Sequence, residues 1–269
     1  MSKIWLLLVE PEPLAGSLNM AVDEHLFHAL GGGPATVLRF YRWVRPTASL
    51  GRGQKAEQVV NREFCSRNGI DIVRRLTGGK LVLHHREITY SVASNDIGVF
   101  TDTLAGSYRL ISRALVLGLK KMGLDADLAG QAPPSYARGT MPCFTLPARD
   151  EVEIGGLKII GSAQKRAGGA FLQHGSIPVS HDPALLRAVS LYPEEGDLRM
   201  TSLSEVLGRE VGYDWAVERM TAGFAEFFGA ELRPLTLADA DRDAVRALEG
   251  RKYASAAWTF EGREDGPAV

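Results

Sequence analysis

Residues 74–90 read Arg-Arg-Leu-Thr-Gly-Gly-Lys-Leu-Val-Leu-His-His-Arg-Glu-Ile-Thr-Tyr. The glycine pair has no side chains, so a ligand could lie against the backbone amides of this turn, beside the guanidinium groups of Arg74 and Arg75. A short apolar strand follows and ends at His84. These features predict a site for an anion or a polar acyl group. The same residues also fit a plain hairpin that turns at the glycine pair and exposes both arginines.

A second hairpin is predicted farther along the chain. Two apolar residues alternate with charged ones before Gly155-Gly156, which can close a two-residue turn, and the alternation resumes after the turn. Lys158 therefore lies on the strand face opposite its apolar neighbours. That face is either a pocket or solvent, where a lysine would protect a sheet edge, and the periodicity leaves both open.

Helix and strand patterns are interleaved over the rest of the chain. Helices are predicted over 17–30, 103–122 (with Asp102 as cap), 183–190, 202–209, 215–228 and 237–248, and strands over 36–43, 88–94 and 170–179. Strands and helices do not alternate regularly, so we predict an α+β fold with mixed, largely antiparallel sheets flanked by helices. We expect one catalytic domain over 1–235, followed by a C-terminal helical appendage and frayed tail over 236–269.

Composition and charge argue against several classes of protein. The 269 residues, 45% of them hydrophobic, are typical of one globular enzyme domain. A net charge of -1 gives no field for nucleic acid or an anionic membrane, so neither is expected as a partner. Two distant cysteines, Cys65 and Cys143, form no local metal site, and no metal is predicted. Reduced cysteines without a secretion signal predict a cytoplasmic location.

Three segments in order carry a resemblance to a known family. They read Arg-Arg-x-Thr-Gly-Gly at 74–79, Gly-x-Lys-Ile-x-Gly-Ser-Ala-Gln at 156–164 and Leu-Gln-His-Gly-Ser-Ile at 172–177. Together they resemble the lipoate-protein ligase A and octanoyltransferase family. The resemblance implies a fold like the catalytic domain of the biotin and lipoate protein ligases.

The resemblance also implies two catalytic residues. Pro142-Cys143-Phe144 resembles the nucleophile site of the family's octanoyltransferases, which move an octanoyl group from acyl carrier protein to the glycine-cleavage H protein. Lys158 is implied at the acyl carbonyl, where its ammonium could stabilise the oxyanion and lower the pKa of the thiol. A thioester on the enzyme is chemically suitable, because its energy is close to that of the donor thioester. The alternative for Cys143 is a small apolar filler.

The remaining site residues are expected to bind the substrate or to line its pocket. They are Arg74, Arg75, Thr77, Gly78, Gly79, His84, Gly161, Ser162, Ala163 and His174. His84 and His174 each end an apolar run, so each is a candidate base, a pocket-wall group or a satisfied structural histidine. Val82 and Leu172 are expected to line the tunnel for the acyl chain.

The predicted activity is therefore octanoyl transfer in protein lipoylation, with no cofactor required. Octanoyl acyl carrier protein is the expected donor, and a lysine of a lipoyl domain or the glycine-cleavage H protein is the expected acceptor. The first alternative is an ATP-dependent lipoate-protein ligase that acts through lipoyl-AMP and needs ATP and Mg. We see no accessory domain of the kind that many lipoate ligases carry, and this favours the transferase. The second alternative is a non-catalytic binder of acylated carrier domains, in which Cys143 is inert.

Overall fold

The computed structural model describes residues 3–130, 150–191 and 199–264. The strands are β1 (Lys3–Val9), β2 (Thr36–Tyr41), β3 (Thr47–Leu50), β4 (Asp71–Arg74), β5 (Val82–His84), β6 (Glu87–Ser94), β7 (Asp127–Leu128), β8 (Val152–Ile154), β9 (Leu157–Ala167), β10 (Ala170–Pro178) and β11 (Ala230–Pro234). The helices are α1 (Gly16–His28), α2 (Ala56–Val59), α3 (Arg62–Arg67), α4 (Leu104–Lys120), α5 (Pro183–Val189), α6 (Leu203–Leu207), α7 (Tyr213–Phe228) and α8 (Asp239–Leu248). Two short π-helical segments, Glu249–Tyr253 and Ala257–Glu261, follow α8.

Two sheets organise the molecule. The large sheet has the strand order β11-β1-β2-β6-β10-β9-β8-β7, in which β1 pairs in parallel with β11 and β2 and the other neighbours are antiparallel. The small sheet has the order β4-β3-β5, with β3 parallel to β4 and antiparallel to β5. The predicted α+β fold with largely antiparallel sheets is confirmed.

The large sheet buries both of its faces, as the alternation along β2 shows. Leu38 belongs to an apolar cluster with α4 and α7, whereas its neighbour Val37 belongs to a cluster with α1 and the C-terminal helices. Burial on both faces extends to the polar residues of β6, Glu87, Thr89 and Ser91, which alternate with apolar ones and are buried like the rest of that strand. It also places the segment after β11 against the core, where Val245, Leu248 and Trp258 pack.

Helix α4 lies against the large sheet through the apolar stripe expected from its sequence, including Ile111, Leu115 and Leu119. Its N-cap differs from the predicted one. Thr103, not Asp102, accepts the N–H of Gly106 with its hydroxyl at 3.1 Å. Asp and Thr are both good N-cap residues, and the backbone places Thr103 in that position.

In the part of the chain that the structure describes, no helix is both long and apolar enough to cross a membrane.

The predicted hairpin at Gly155-Gly156 is confirmed. Both glycines have positive φ angles, 58° and 76°, between β8 and β9. Glu261 belongs to the second π-helical segment, and residues 265–269, at the end of the predicted tail, lie outside the described residues.

Candidate active site

A pocket lies between the small sheet and strands β9 and β10 of the large sheet. Its walls include seven of the predicted site residues, namely Arg75, Gly79, His84, Gly161, Ser162, Ala163 and His174. Val82 also lines it, whereas Leu172, the other residue expected along the acyl tunnel, packs in the apolar cluster around Met20. Three segments that are far apart in sequence thus meet around one cavity.

The Thr-Gly-Gly turn is shaped by close backbone contacts. Gly79 has a φ of 92°, and a Cβ atom there would lie 2.8 Å from Nη2 of Arg75. A Cβ atom on Gly51 would lie 2.0 Å from the carbonyl oxygen of Gly79. Gly78 has no such neighbour within 4 Å. The turn therefore requires glycine at Gly51 and Gly79, and at Gly78 it leaves open space.

Arg75 holds this turn from inside. Its guanidinium donates to the carbonyl oxygens of Ser49 at 2.8 Å, Gly78 at 2.8 Å and Lys80 at 2.7 Å. The side chain is almost fully buried and also lines the pocket. Arg75 therefore fixes the conformation of the wall that a ligand would meet.

Arg74 corrects the prediction for the arginine pair. Its guanidinium donates to the carbonyl oxygens of Gly51, Arg52 and Gln54 on one side, and to those of three C-terminal residues, 258, 259 and 260, on the other. Trp258 Nε1 donates back to the Arg74 carbonyl at 2.8 Å. Because backbone oxygens surround this cation and Arg74 is not among the residues that line the pocket, its described contacts anchor the chain.

His84 stands at the end of β5 and is held on three sides. Its Nδ1 atom lies 2.7 Å from Glu87 Oε1, and its Nε2 atom lies 2.8 Å from the Ser49 hydroxyl. The indole of Trp43 stacks on the imidazole with 4.0 Å between ring centroids. A carboxylate, an imidazole and a hydroxyl are thus in line at the pocket wall, an arrangement suited to proton transfer.

His174 has a matching arrangement on β10. Its Nδ1 atom lies 3.0 Å from Asp23 Oδ2, and its Nε2 atom lies 2.7 Å from the Thr77 hydroxyl. Burial lowers the pKa of His174, and the nearby cation of Arg75 lowers it further, so the ring is neutral at pH 7. Thr77 therefore contributes to the predicted site through its hydrogen bond with this histidine.

Asp23 is the buried anion behind His174. Burial alone would raise its pKa, but the hydrogen bond with His174 and the charge of Arg39 hold the pKa below its ordinary value. Arg39 Nη1 lies 2.8 Å from Asp23 Oδ1, and the Tyr41 hydroxyl donates to Oδ2 at 2.9 Å. Asp23 is therefore ionised.

The sequence prediction of the site missed Asp23 and Glu87. Glu87 opens the strand Glu-Ile-Thr-Tyr-Ser-Val, all of which is buried, and a carboxylate in such a strand needs a partner. Its position three residues after His84 was the signal available in the sequence. Asp23 lies in a helix whose residues from Asn19 to Glu24 are all buried, so the same reasoning applies.

Lys158 is not the exposed edge lysine of the alternative reading. Its side chain is fully buried, and its Nζ atom lies 2.7 Å from Glu151 Oε1. It lies on β9 three residues before Gly161, where that strand reaches the pocket. Cys143, its predicted partner, lies outside the described residues. Among the residues that are described, no three His, Cys, Asp or Glu side chains are grouped as metal ligands would be.

Comparison with known proteins identifies the family. Residues 16–225 match the model of the lipoyl protein ligase A/B catalytic domain. The chain belongs to this family. Among its relatives is the octanoyltransferase LipM of Kyrpidia tusciae, 39% identical over 262 residues, which are 91% of this chain and 95% of the relative. The octanoyltransferase LipM of Brevibacillus brevis is 34% identical over 266 residues, 93% of this chain and 96% of the relative.

Solved structures of the same family share the fold. A lipoate-protein ligase A bound with ATP is 27% identical, with a TM-score of 0.82 over 97% of this chain and 99% of its own. A bi-partite lipoate protein ligase of Thermoplasma acidophilum, described together with its E2 lipoyl domain, is 25% identical, with a TM-score of 0.79 over all of both chains. The family resemblance expected from the sequence is confirmed, and so is the likeness to the lipoate protein ligase catalytic domain.

Proposed function

We propose that this enzyme is an octanoyltransferase of protein lipoylation. It takes the octanoyl group from acyl carrier protein onto Cys143 and passes it to a lysine of a lipoyl domain, with the glycine-cleavage H protein as the expected acceptor. The observation that carries the proposal is the pocket, in which the Gly79 turn meets the Gly161–Ala163 segment of the second motif. Relatives that are 34% and 39% identical over more than nine-tenths of this chain are octanoyltransferases.

The two cysteines differ in a way that favours Cys143 as the acyl carrier. Cys65 is fully buried in an apolar cluster, and burial raises the pKa of its thiol to about 11. Because a thiolate is the attacking species, Cys65 is a poor nucleophile at neutral pH. The chain has two cysteines, so a cysteine thioester is expected at Cys143.

The proposed reaction has two steps. The Cys143 thiolate attacks the donor thioester, and the carrier leaves as its own thiolate. A lysine amine then attacks the enzyme thioester and forms a stable amide. Lys158 is proposed to stabilise the oxyanion in both steps, since a buried ammonium acts strongly in a site without water. No cofactor is expected, because the donor thioester already supplies the energy of the amide bond. A thiol that must stay reduced suits the cytoplasm.

The test uses the purified protein and octanoyl acyl carrier protein without ATP. We expect intact mass measurement to show an octanoyl adduct that hydroxylamine removes. Cys143→Ala should abolish the adduct, whereas the matched control Cys65→Ala should retain it. An unaltered protein that gains no octanoyl mass under these conditions would contradict the proposal.

ATP-dependent lipoate ligation is the second candidate, because a neighbour with a TM-score of 0.82 is a lipoate-protein ligase bound with ATP. In this case the Arg75–Gly79 turn would hold the phosphate of lipoyl-AMP. Lipoyl domain, free lipoate, ATP and Mg should then give acylated product with Cys143→Ala as efficiently as with the unaltered protein. Product formed only from octanoyl acyl carrier protein would exclude this candidate.

A further inference from the structure

Hydrogen bonds around His84 define which ring nitrogen can accept a proton. The Ser49 hydroxyl oxygen accepts an N–H of Arg75 at 3.1 Å and lies 2.8 Å from His84 Nε2. A carboxylate only accepts, so the Nδ1 atom that lies 2.7 Å from Glu87 carries a proton. When Nδ1 alone carries a proton, Nε2 is the acceptor for the Ser49 hydroxyl proton, and His84 lines the pocket.

Glu87 is the group that would stabilise a positive charge on this ring. Its oxygens accept the hydroxyl protons of Thr89 and Ser176, and both donors are uncharged. Within residues 3–130, 150–191 and 199–264, no lysine or arginine forms an ion pair with Glu87. The side chain is buried, so solvent screens its charge poorly and an imidazolium at His84 is its natural counter-ion.

His174 lacks this advantage. Its carboxylate partner, Asp23, is already paired with the guanidinium of Arg39 at 2.8 Å. Arg75, which also faces the pocket, repels a second positive charge on His174. Of the two histidines, His84 is therefore the one whose carboxylate partner forms no ion pair with an arginine or lysine among the described residues.

We infer that His84 is the general base for the second step, the attack of the lysine amine. The inference rests on the octanoyl transfer proposed above. The amine nitrogen bonds to the acyl carbon, and the carbon–sulfur bond breaks with its electron pair left on sulfur. The proton lost by the amine passes to Nε2 of His84, and the Ser49 hydroxyl gives up its hydrogen bond there. Glu87 then neutralises the imidazolium.

The test compares two amines in the discharge of a preformed octanoyl-enzyme. The lysine of a lipoyl domain reacts as its free amine and gives one proton to the base, whereas hydroxylamine is a reactive nucleophile at neutral pH and depends on a base much less. We expect His84→Gln to slow transfer to the lipoyl domain by roughly 10²- to 10⁴-fold, the usual contribution of a general base. Discharge by hydroxylamine should stay close to the rate of the unaltered protein.

Two further variants sharpen the comparison. His85→Gln is the matched control, because His85 is the next residue and lines a neighbouring cavity with His181 and Asp182. It should discharge with both amines as the unaltered protein does. Glu87→Gln keeps a hydrogen-bond acceptor and removes the charge, so it should slow the lysine reaction and spare hydroxylamine. Formation of the octanoyl adduct in each variant shows that its pocket is folded.

Several outcomes would overturn the inference. The inference is contradicted if the His84→Gln variant transfers the octanoyl group to the lipoyl domain at the unaltered rate. It is also contradicted if His84→Gln reacts slowly with both amines or never forms the adduct, because His84 would then act in folding or in acylation. An unaltered protein without an adduct would overturn the proposed function itself, and this inference with it.

Discussion

Gly79 and Gly78 are adjacent residues with different constraints. Gly79 has a φ of 92°, and a Cβ atom there would lie 2.8 Å from Nη2 of Arg75. Gly78 has open space where a side chain would be. We expect Gly79→Ala to lower the free energy of unfolding by about 1–3 kcal/mol through backbone strain, and to slow octanoyl adduct formation because the Arg75 contacts must shift. Gly78→Ala is the matched control and should be near neutral in a thermal melt. Equal effects of the two changes would contradict this account of the turn.

The neutral state of His174 gives a pH dependence of defined sign. Burial lowers its pKa in the folded protein, so the unfolded chain binds the proton more readily. The contribution to stability is complete above the unfolded pKa of about 6.5 and is lost as the pH falls through the folded value. His174→Gln should therefore flatten the decline in the free energy of unfolding between about pH 7.5 and 5.5. Urea titrations at several pH values give the free energy of unfolding of the unaltered protein and of His174→Gln. If the two free energies fall equally with pH, the prediction is contradicted.

Single residues show which parts of the site can be predicted from the sequence. The arginine pair was predicted to bind the acyl group, and Arg75 does line the pocket, but Arg74 contacts backbone carbonyls instead. Neighbours on a strand point to opposite faces, so one of the two had to point away from the pocket. The sequence could not say which one, because half of the carbonyls that accept from Arg74 belong to residues 184 to 186 positions away.

Among the elements, helices α4 and α7 cross at close range through two glycines. A Cβ atom on Gly223 would lie 2.4 Å from the backbone nitrogen of Gly118, so the two backbones touch at this glycine pair. Gly223→Ala should separate the helices and lower the free energy of unfolding by about 1–3 kcal/mol. Gly212→Ala, which meets no atom within 4 Å, is the control at the start of α7. A thermal melt of both variants measures the difference, and an unchanged Gly223→Ala protein would contradict the crossing.

Secondary-structure elements were predictable where the sequence pattern that specifies them is local. The α4 stripe and the Gly155-Gly156 hairpin follow from periodicity and turn chemistry, and both are found. Two features were not predictable from local patterns. The parallel pairing of β1 with β11 joins residues more than 200 positions apart, and the small β4-β3-β5 sheet combines strands of only three or four residues. Neither leaves a periodic signal in a short window of sequence.

At the scale of the whole molecule, the C-terminal segment supports the pocket. Trp258 is almost fully buried, donates to the Arg74 carbonyl and packs with the α1 cluster, and Lys252 lies 4.1 Å over its ring. We expect Trp258→Ala to lower the free energy of unfolding by about 3–5 kcal/mol. Trp258→Phe keeps the ring and loses the N–H, so it should cost about 1–3 kcal/mol. Urea denaturation of both variants measures the two losses, and a Trp258→Phe protein as stable as the unaltered one would show that the hydrogen bond carries no share.

The partners of Arg74 also set an order of events during synthesis. Trp258 leaves the ribosome 184 residues after the arginine that it holds. At bacterial rates of translation this interval is roughly 10 to 40 s. Throughout that time the guanidinium has only half of its carbonyl ligands, so the glycine turn beside it lacks its final support. We therefore expect the turn beside Arg74 to reach its final form only after residues 258–260 have been synthesised.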